Sequence, residues 1–152
     1  MVEWLAGLPQ DQRRTVPFGE LSATRAGLEE LVGLLVFLRE LHDLVPEQPP
    51  PYLPAAVAAV TRALAARLAA AAPGRSVELR IPPYTAVQCI TGPRHTRGTP
   101  AAVVETDPLT WLDLATGRLR WAAALAEGRL RASGERTDLS AYLPVLGGQG
   151  RR

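Results

Sequence analysis

An α+β fold is what this sequence predicts, and three observations predict it. Apolar residues recur at three- and four-residue steps over two long segments, 22–45 and 54–72, which is the period of a buried helix face. Residues 76–81 alternate strictly, with Val77, Leu79 and Ile81 on one side and Glu78 and Arg80 on the other, which is the period of a half-buried strand. Asp107-Pro108 then places a side-chain acceptor immediately before a proline at a first helical position, so a further helix starts beyond the strands.

Taken in chain order, the first helix, 22–45, carries Leu28, Leu31, Val32, Leu35, Leu38 and Leu41 on one stripe. Leu34, Val36 and Phe37 spread apolar character around the cylinder, so the helix is expected to be buried on more than one side or to lie at an interface. The prolines of 46–51 lack amide donors and force extended geometry, which makes that stretch a stiff linker. The second helix, 54–72, has Val57, Val60, Leu64 and Leu68 on one face, with Thr61, Arg62 and Arg67 elsewhere, as in a helix that covers a sheet; Pro73-Gly74 stop it.

The strand 76–81 is turned by Pro82-Pro83-Tyr84 and answered by an antiparallel partner at 86–91, and 101–106 supplies a third strand. The helix from Pro108 carries Leu109, Trp111, Leu112, Leu114 and Ala115 and is closed at Gly117, and a shorter one spans 121–127. Residues 129–134 alternate again as a last strand, residues 138–143 form a terminal helical turn, and 147–152 are a frayed tail. The expected organisation is thus an N-terminal helical segment and linker over 1–51, an α+β domain over 52–146 and the tail.

Composition narrows the function classes. Hydrophobic residues make up 47% of the chain and aromatics only 5%, so the core is built from Leu, Val and Ala and offers few stacking anchors. All 17 basic residues are Arg and Asn is absent, a bias of GC-rich bacterial genomes. The net charge of +2 comes from scattered Arg without a basic block, which argues against a nucleic-acid partner. Cys89 is the single cysteine, so no internal disulfide and no multi-cysteine zinc site can form. The opening residues place acid and Trp where a secretory signal needs basic residues, and no uninterrupted apolar run, 34–38 included, exceeds six residues, far short of a membrane span. A cytoplasmic protein with no integral membrane association is expected.

Three consecutive pieces carry a family resemblance: Leu112-Asp113-Leu114-Ala115-Thr116-Gly117-Arg118-Leu119, then Ala122 to Ala124, then Glu127-Gly128-Arg129-Leu130-Arg131-Ala132-Ser133-Gly134. Their order and spacing resemble the carboxy-terminal signature of sterol carrier protein 2 domains, in which a helix ending in a T-G-K/R-L turn leads to a short helix, a G-K/R-L-K/R strand and a final apolar helix. The stretch GPRHTRGTPAAVVETDPLTW, residues 92–111, is similar to small actinobacterial proteins grouped as a bacterial sterol carrier family. The resemblance covers residues 54–146. It implies an SCP2-like mixed five-stranded sheet covered by helices on one face, and, in lipid-carrying members, an apolar tunnel between sheet and helices for sterols, acyl chains or acyl-CoA.

On that basis Leu64, Leu68, Trp111, Leu114, Leu125 and Leu143 are candidate apolar lining residues. The same periodicity is satisfied by a filled core, so the existence of a cavity stays open at this point. The residues Arg94, His95 and Arg97 bring two guanidinium groups and an imidazole into one glycine-bearing loop, which makes them candidates for an anionic head group; a solvated surface loop has the same composition.

Catalysis finds less support. His42 and His95 are the only histidines and have no ligand spacing, so no metal site is expected. Mycothiol-dependent maleylpyruvate isomerases join a metal-binding bundle to a sterol-carrier-like domain, and the ligands of such a bundle are missing from 22–45. Cys89 lies in a strand as a small hydrophobe, Asp107 serves as a helix cap, and the terminal Gly-Gly-Gln-Gly links no strand to a helix. No catalytic residue and no cofactor are assigned. The expected function is a binding module for an apolar or amphipathic small molecule. The alternatives are a structural or interaction protein that dimerises or binds a partner through 22–45, and an accessory domain of a mycothiol- or acyl-dependent enzyme.

Overall fold

The computed structural model describes residues 18–44, 53–92 and 102–146, and the chain divides into two compact units, Met1–Val60 and Thr61–Arg152. The linker 46–51, the loop holding Arg94, His95 and Arg97, the side chain of His42 and the tail 147–152 lie outside what is described.

The first unit contains α1 (Phe18–Ala23), α2 (Arg25–Leu44) and the start of α3 (Leu53–Ala71). The sequence expectation of one helix from residue 22 is corrected here, because the chain breaks at Thr24. Its Oγ1 accepts the Gly27 amide at 3.0 Å, a helix N-cap that starts α2 afresh. Arg25 and Glu29 then pair one turn apart at 2.8 Å. Leu28, Leu31, Val32, Leu35 and Leu38 are buried, while Phe37 remains 48% exposed.

Helix α3 is long and apolar enough to cross a membrane by length and composition alone. Arg62 and Arg67 interrupt it, and Leu64, Ala65 and Leu68 are fully buried, which is the pattern of a core helix in a folded protein.

The second unit is organised by a sheet of β1 (Val77–Ile81), β2 (Thr85–Cys89), β3 (Ala102–Thr106) and β4 (Leu130–Ser133) in the order β2-β1-β3-β4. The β1–β2 and β3–β4 pairs are antiparallel and the central β1–β3 pair is parallel, so the sheet is mixed. It has four strands where the resemblance implied five; no fifth strand occurs among the described residues.

Register puts Val77, Leu79 and Ile81 beside Ala102, Val104 and Thr106 on one face, and all six are buried. The opposite face carries Glu78, Arg80, Gln88, Glu105 and Arg131, with an ion pair between Glu78 and Arg80. A sheet with one apolar and one charged face needs cover on one side only.

Two anchors lay α3 along the β1–β2 hairpin. Near the hairpin turn, Arg62 Nε donates to the Tyr84 carbonyl at 3.2 Å; at its base the Ile90 amide donates to the Ala72 carbonyl at 2.8 Å. Leu64 and Leu68 fall between these anchors and are fully buried. The close approach at the base requires a glycine, because a Cβ on Gly74, whose φ is +151°, would collide with the Ile90 carbonyl.

Beyond β3 come α4 (Pro108–Thr116) and α5 (Trp121–Ala126), and a 3₁₀ turn (Ser140–Tyr142) follows β4. The terminal helical turn expected over 138–143 is therefore this shorter 3₁₀ turn, started by the Asp138 carboxylate, which accepts the Ser140 amide at 2.9 Å.

Candidate functional site

A pocket of the second unit is built at the C-terminal end of α4. Asp107 caps the other end of that helix, its carboxylate accepting the amides of Leu109 and Thr110 at 3.0 and 2.9 Å. Burial alone would push this carboxyl up, but the hydroxyl of Thr110 and the two amides outweigh it and hold it below its ordinary value. Pro108 fits the first helical position.

Gly117 ends α4 with φ of +78°, and the amides of Arg118 and Leu119 both return to the Asp113 carbonyl, at 2.8 and 3.1 Å. This reversal carries Leu119, Arg120 and Trp121 back across the helix end. The opposite wall comes from the C-terminal segment. Its Val145 and Leu146 amides donate to the Ala115 carbonyl at 2.8 and 3.1 Å, satisfying a last-turn acceptor that no helical amide reaches.

Between these walls lies a partly open, mainly apolar pocket of about 250 Å³. Leu114 and Gly117 contribute from the helix, Leu119, Arg120 and Trp121 from the reversal, and Ser140, Leu143 and Pro144 from the C-terminal segment. Arg120 is its one charged lining residue. Asp113, on the buried side of α4, is held by Arg129 Nη2 at 3.2 Å and by Arg118 Nε at 3.8 Å. Arg129 Nε also donates to Thr110 at 3.3 Å, so the segment leading into β4 is fastened along α4.

Of the residues singled out in the sequence, Leu114 and Leu143 line this pocket. Leu64, Leu68 and Trp111 are fully buried in the core and are not among its lining. The Trp111 indole N–H has no acceptor among the described residues, one helical turn before Leu114. Leu125 is 41% exposed, because the short α5 turns Trp121 and Ala124 inward and leaves Leu125 rotated away from them. Arg94, His95 and Arg97 lie outside the described residues. Sequence reasoning missed Gly117, Leu119, Arg120, Trp121, Ser140 and Pro144; the Thr116-Gly117 helix stop was the one local signal that the chain doubles back here.

Elsewhere the chemistry is sparse. Cys89 is buried opposite Val77 in the sheet, and burial pushes its thiol up, leaving little thiolate at neutral pH. Among the described residues no three His, Cys, Asp or Glu side chains are grouped to hold a metal ion.

Compared with known families, residues 54–145 match the family model described as "Bacterial SCP ortholog", more than half of the chain. No curated protein matches the sequence.

Proposed function

Because the chain belongs to the family of bacterial SCP orthologs, a sterol-carrier-protein-like group, we propose that it is a binding module for an apolar or amphipathic small molecule and that the pocket at the end of α4 is its site. The observation that carries this reading is a mainly apolar recess of about 250 Å³ whose two walls are both fastened to the last turn of one helix. Ligand sites are concave and mostly apolar, with few polar groups that set orientation.

Burial supplies the affinity. Covering roughly 200 Å² of apolar ligand surface is worth about 5 kcal/mol at 25 cal/mol per Å². Association entropy takes back part of this, which leaves a dissociation constant of about 1 mM or weaker for a small ligand. In this reading the apolar face of Leu114 and Leu143 and the ring of Trp121 form the surface on which the ligand rests. The location we propose is cytoplasmic, in keeping with a carrier that meets its ligand in solution.

Native mass spectrometry of freshly purified protein, followed by organic extraction, tests the function. A co-purifying apolar compound displaced from a Leu143→Trp variant supports it; a clean apo mass together with no binding of any apolar probe overturns it.

A further inference from the structure

Helix α2 carries apolar residues around most of its circumference but buries one side. Leu28, Leu31, Val32, Leu35 and Leu38 face inward. Ala26, Glu30, Gly33, Phe37 and Glu40 recur at four- and three-residue steps along the exposed side, with Leu34 and Val36 half-buried at its flanks. Phe37 is 48% exposed. One turn before it, a Cβ on Gly33 would meet nothing within 4 Å among the described residues. A glycine inside a helix weakens it, and no described neighbour needs the space that this one leaves. The whole of α2 lies outside the matched residues 54–145, so its exposed face is a feature of this chain's first unit.

Phe37 is a knob, and the space over Gly33, bordered by Ala26 and Glu30, is a hole. Because both lie on one stripe, the stripe is complementary to a second copy of itself. A two-fold axis at Gly33 runs two α2 helices antiparallel and sets Phe37 opposite Glu29 and Glu30 of the second copy, and Glu40 opposite its Ala26. Each Phe37 then enters the hole between Ala26, Glu29, Glu30 and Gly33 of the other copy, and the paired glycines let the backbones approach closely. On one flank Arg25, which holds Glu29 of its own helix, comes within a turn of Glu40 of the second copy. The symmetry makes that contact twice.

We infer that α2 is a homodimer interface, with two copies crossing antiparallel at Gly33 and each Phe37 seated over the other's glycine. The contact is one helix pair wide, at the small end of specific interfaces, so a reversible dimer with a dissociation constant of about 10–100 μM is expected. Glu30, at the rim of the hole, is the charge that the second copy does not balance.

Sedimentation velocity of the whole chain, from about 5 to 500 μM, tests this against the expected dissociation constant. Gly33→Leu fills the hole without a clash inside one chain. It is expected to raise the dissociation constant about tenfold or more, while the melting temperature of the dilute monomer holds or rises, since leucine favours a helix over glycine. Phe37→Ser weakens association to a similar degree, and Glu30→Gln tightens it about twofold to threefold, the effect of one exposed charge. A purely structural role for Gly33 and Phe37 would move the melting temperature and leave association unchanged.

A monomer at every concentration overturns the inference. So does a dimer whose dissociation constant is the same in Gly33→Leu and Phe37→Ser, which would put the contact on another surface. Neither result bears on the pocket at the end of α4, whose test is separate.

Discussion

The amide of Val145 donates to the carbonyl of Ala115 at 2.8 Å, tying the C-terminal segment to the last turn of α4. Leu146 donates to the same oxygen, and its side chain is buried beside it. One carbonyl thus fixes the wall that makes an open helix end into a pocket.

A chain ending at residue 142 loses both hydrogen bonds, about 1 kcal/mol each, and the burial of Leu146, about 1.5–3 kcal/mol. Urea denaturation is expected to give a stability loss of about 3–5 kcal/mol, and binding of apolar probes is expected to vanish. Undiminished probe binding in the shortened chain would place the site away from this segment.

The Asp107 cap gives a pH dependence with a definite sign. Its folded carboxyl titrates below the ordinary value, so its contribution is complete above the unfolded pKa near 4 and is lost as pH falls through the folded value. Asp107→Ala is expected to cost about 1 kcal/mol at pH 7. The difference between variant and parent should close on acidification below pH 4; a constant gap at pH 3 and pH 7 would show that the carboxylate charge is not what caps α4.

Asp113 and Arg129 join α4 to the entrance of β4 across a largely buried contact. Removing the carboxylate leaves the Arg129 guanidinium with its Thr110 bond and exposed Glu127. Asp113→Ala is expected to lower stability by about 1–3 kcal/mol. In a double-mutant cycle with Arg129→Ala, a coupling near zero would mean that the two side chains act independently.

Gly74→Ala tests the base of the hairpin. The added methyl meets the Ile90 carbonyl at a backbone φ of +151°, and both the clash and the torsion oppose it. A loss of roughly 3 kcal/mol or more is expected in thermal or urea unfolding; a neutral substitution would show that α3 does not approach β2 this closely.

Much of the architecture was legible from local signals. Alternation at 76–81 marked β1 because one face of the sheet is apolar and the other charged. Asp107-Pro108 and Gly117 bounded α4 to within a residue, since caps are properties of short sequences. The break at Thr24 was missed because a threonine reads as a tolerable helix residue until its hydroxyl is seen accepting the Gly27 amide.

The pocket was only partly legible. Helical spacing tells which side of α4 is buried and so picked out Leu114, but it does not distinguish packed core from empty space. Arg120 and Ser140 come together through a reversal and a C-terminal return that are distant in sequence, and no period or motif links them. Leu125 failed to join them because a helix of six residues has only one turn and a half to orient, and Trp121 and Ala124 take the inward positions.

The most direct test of the binding site is a ¹H–¹⁵N NMR titration of the whole chain with octanoate. Saturable shifts are expected at the amides of Leu114, Gly117, Leu119, Arg120, Trp121, Ser140 and Leu143 and at the Trp121 indole. Shifts gathered instead around Leu64 and Leu68, or no saturable shifts at all, would contradict it.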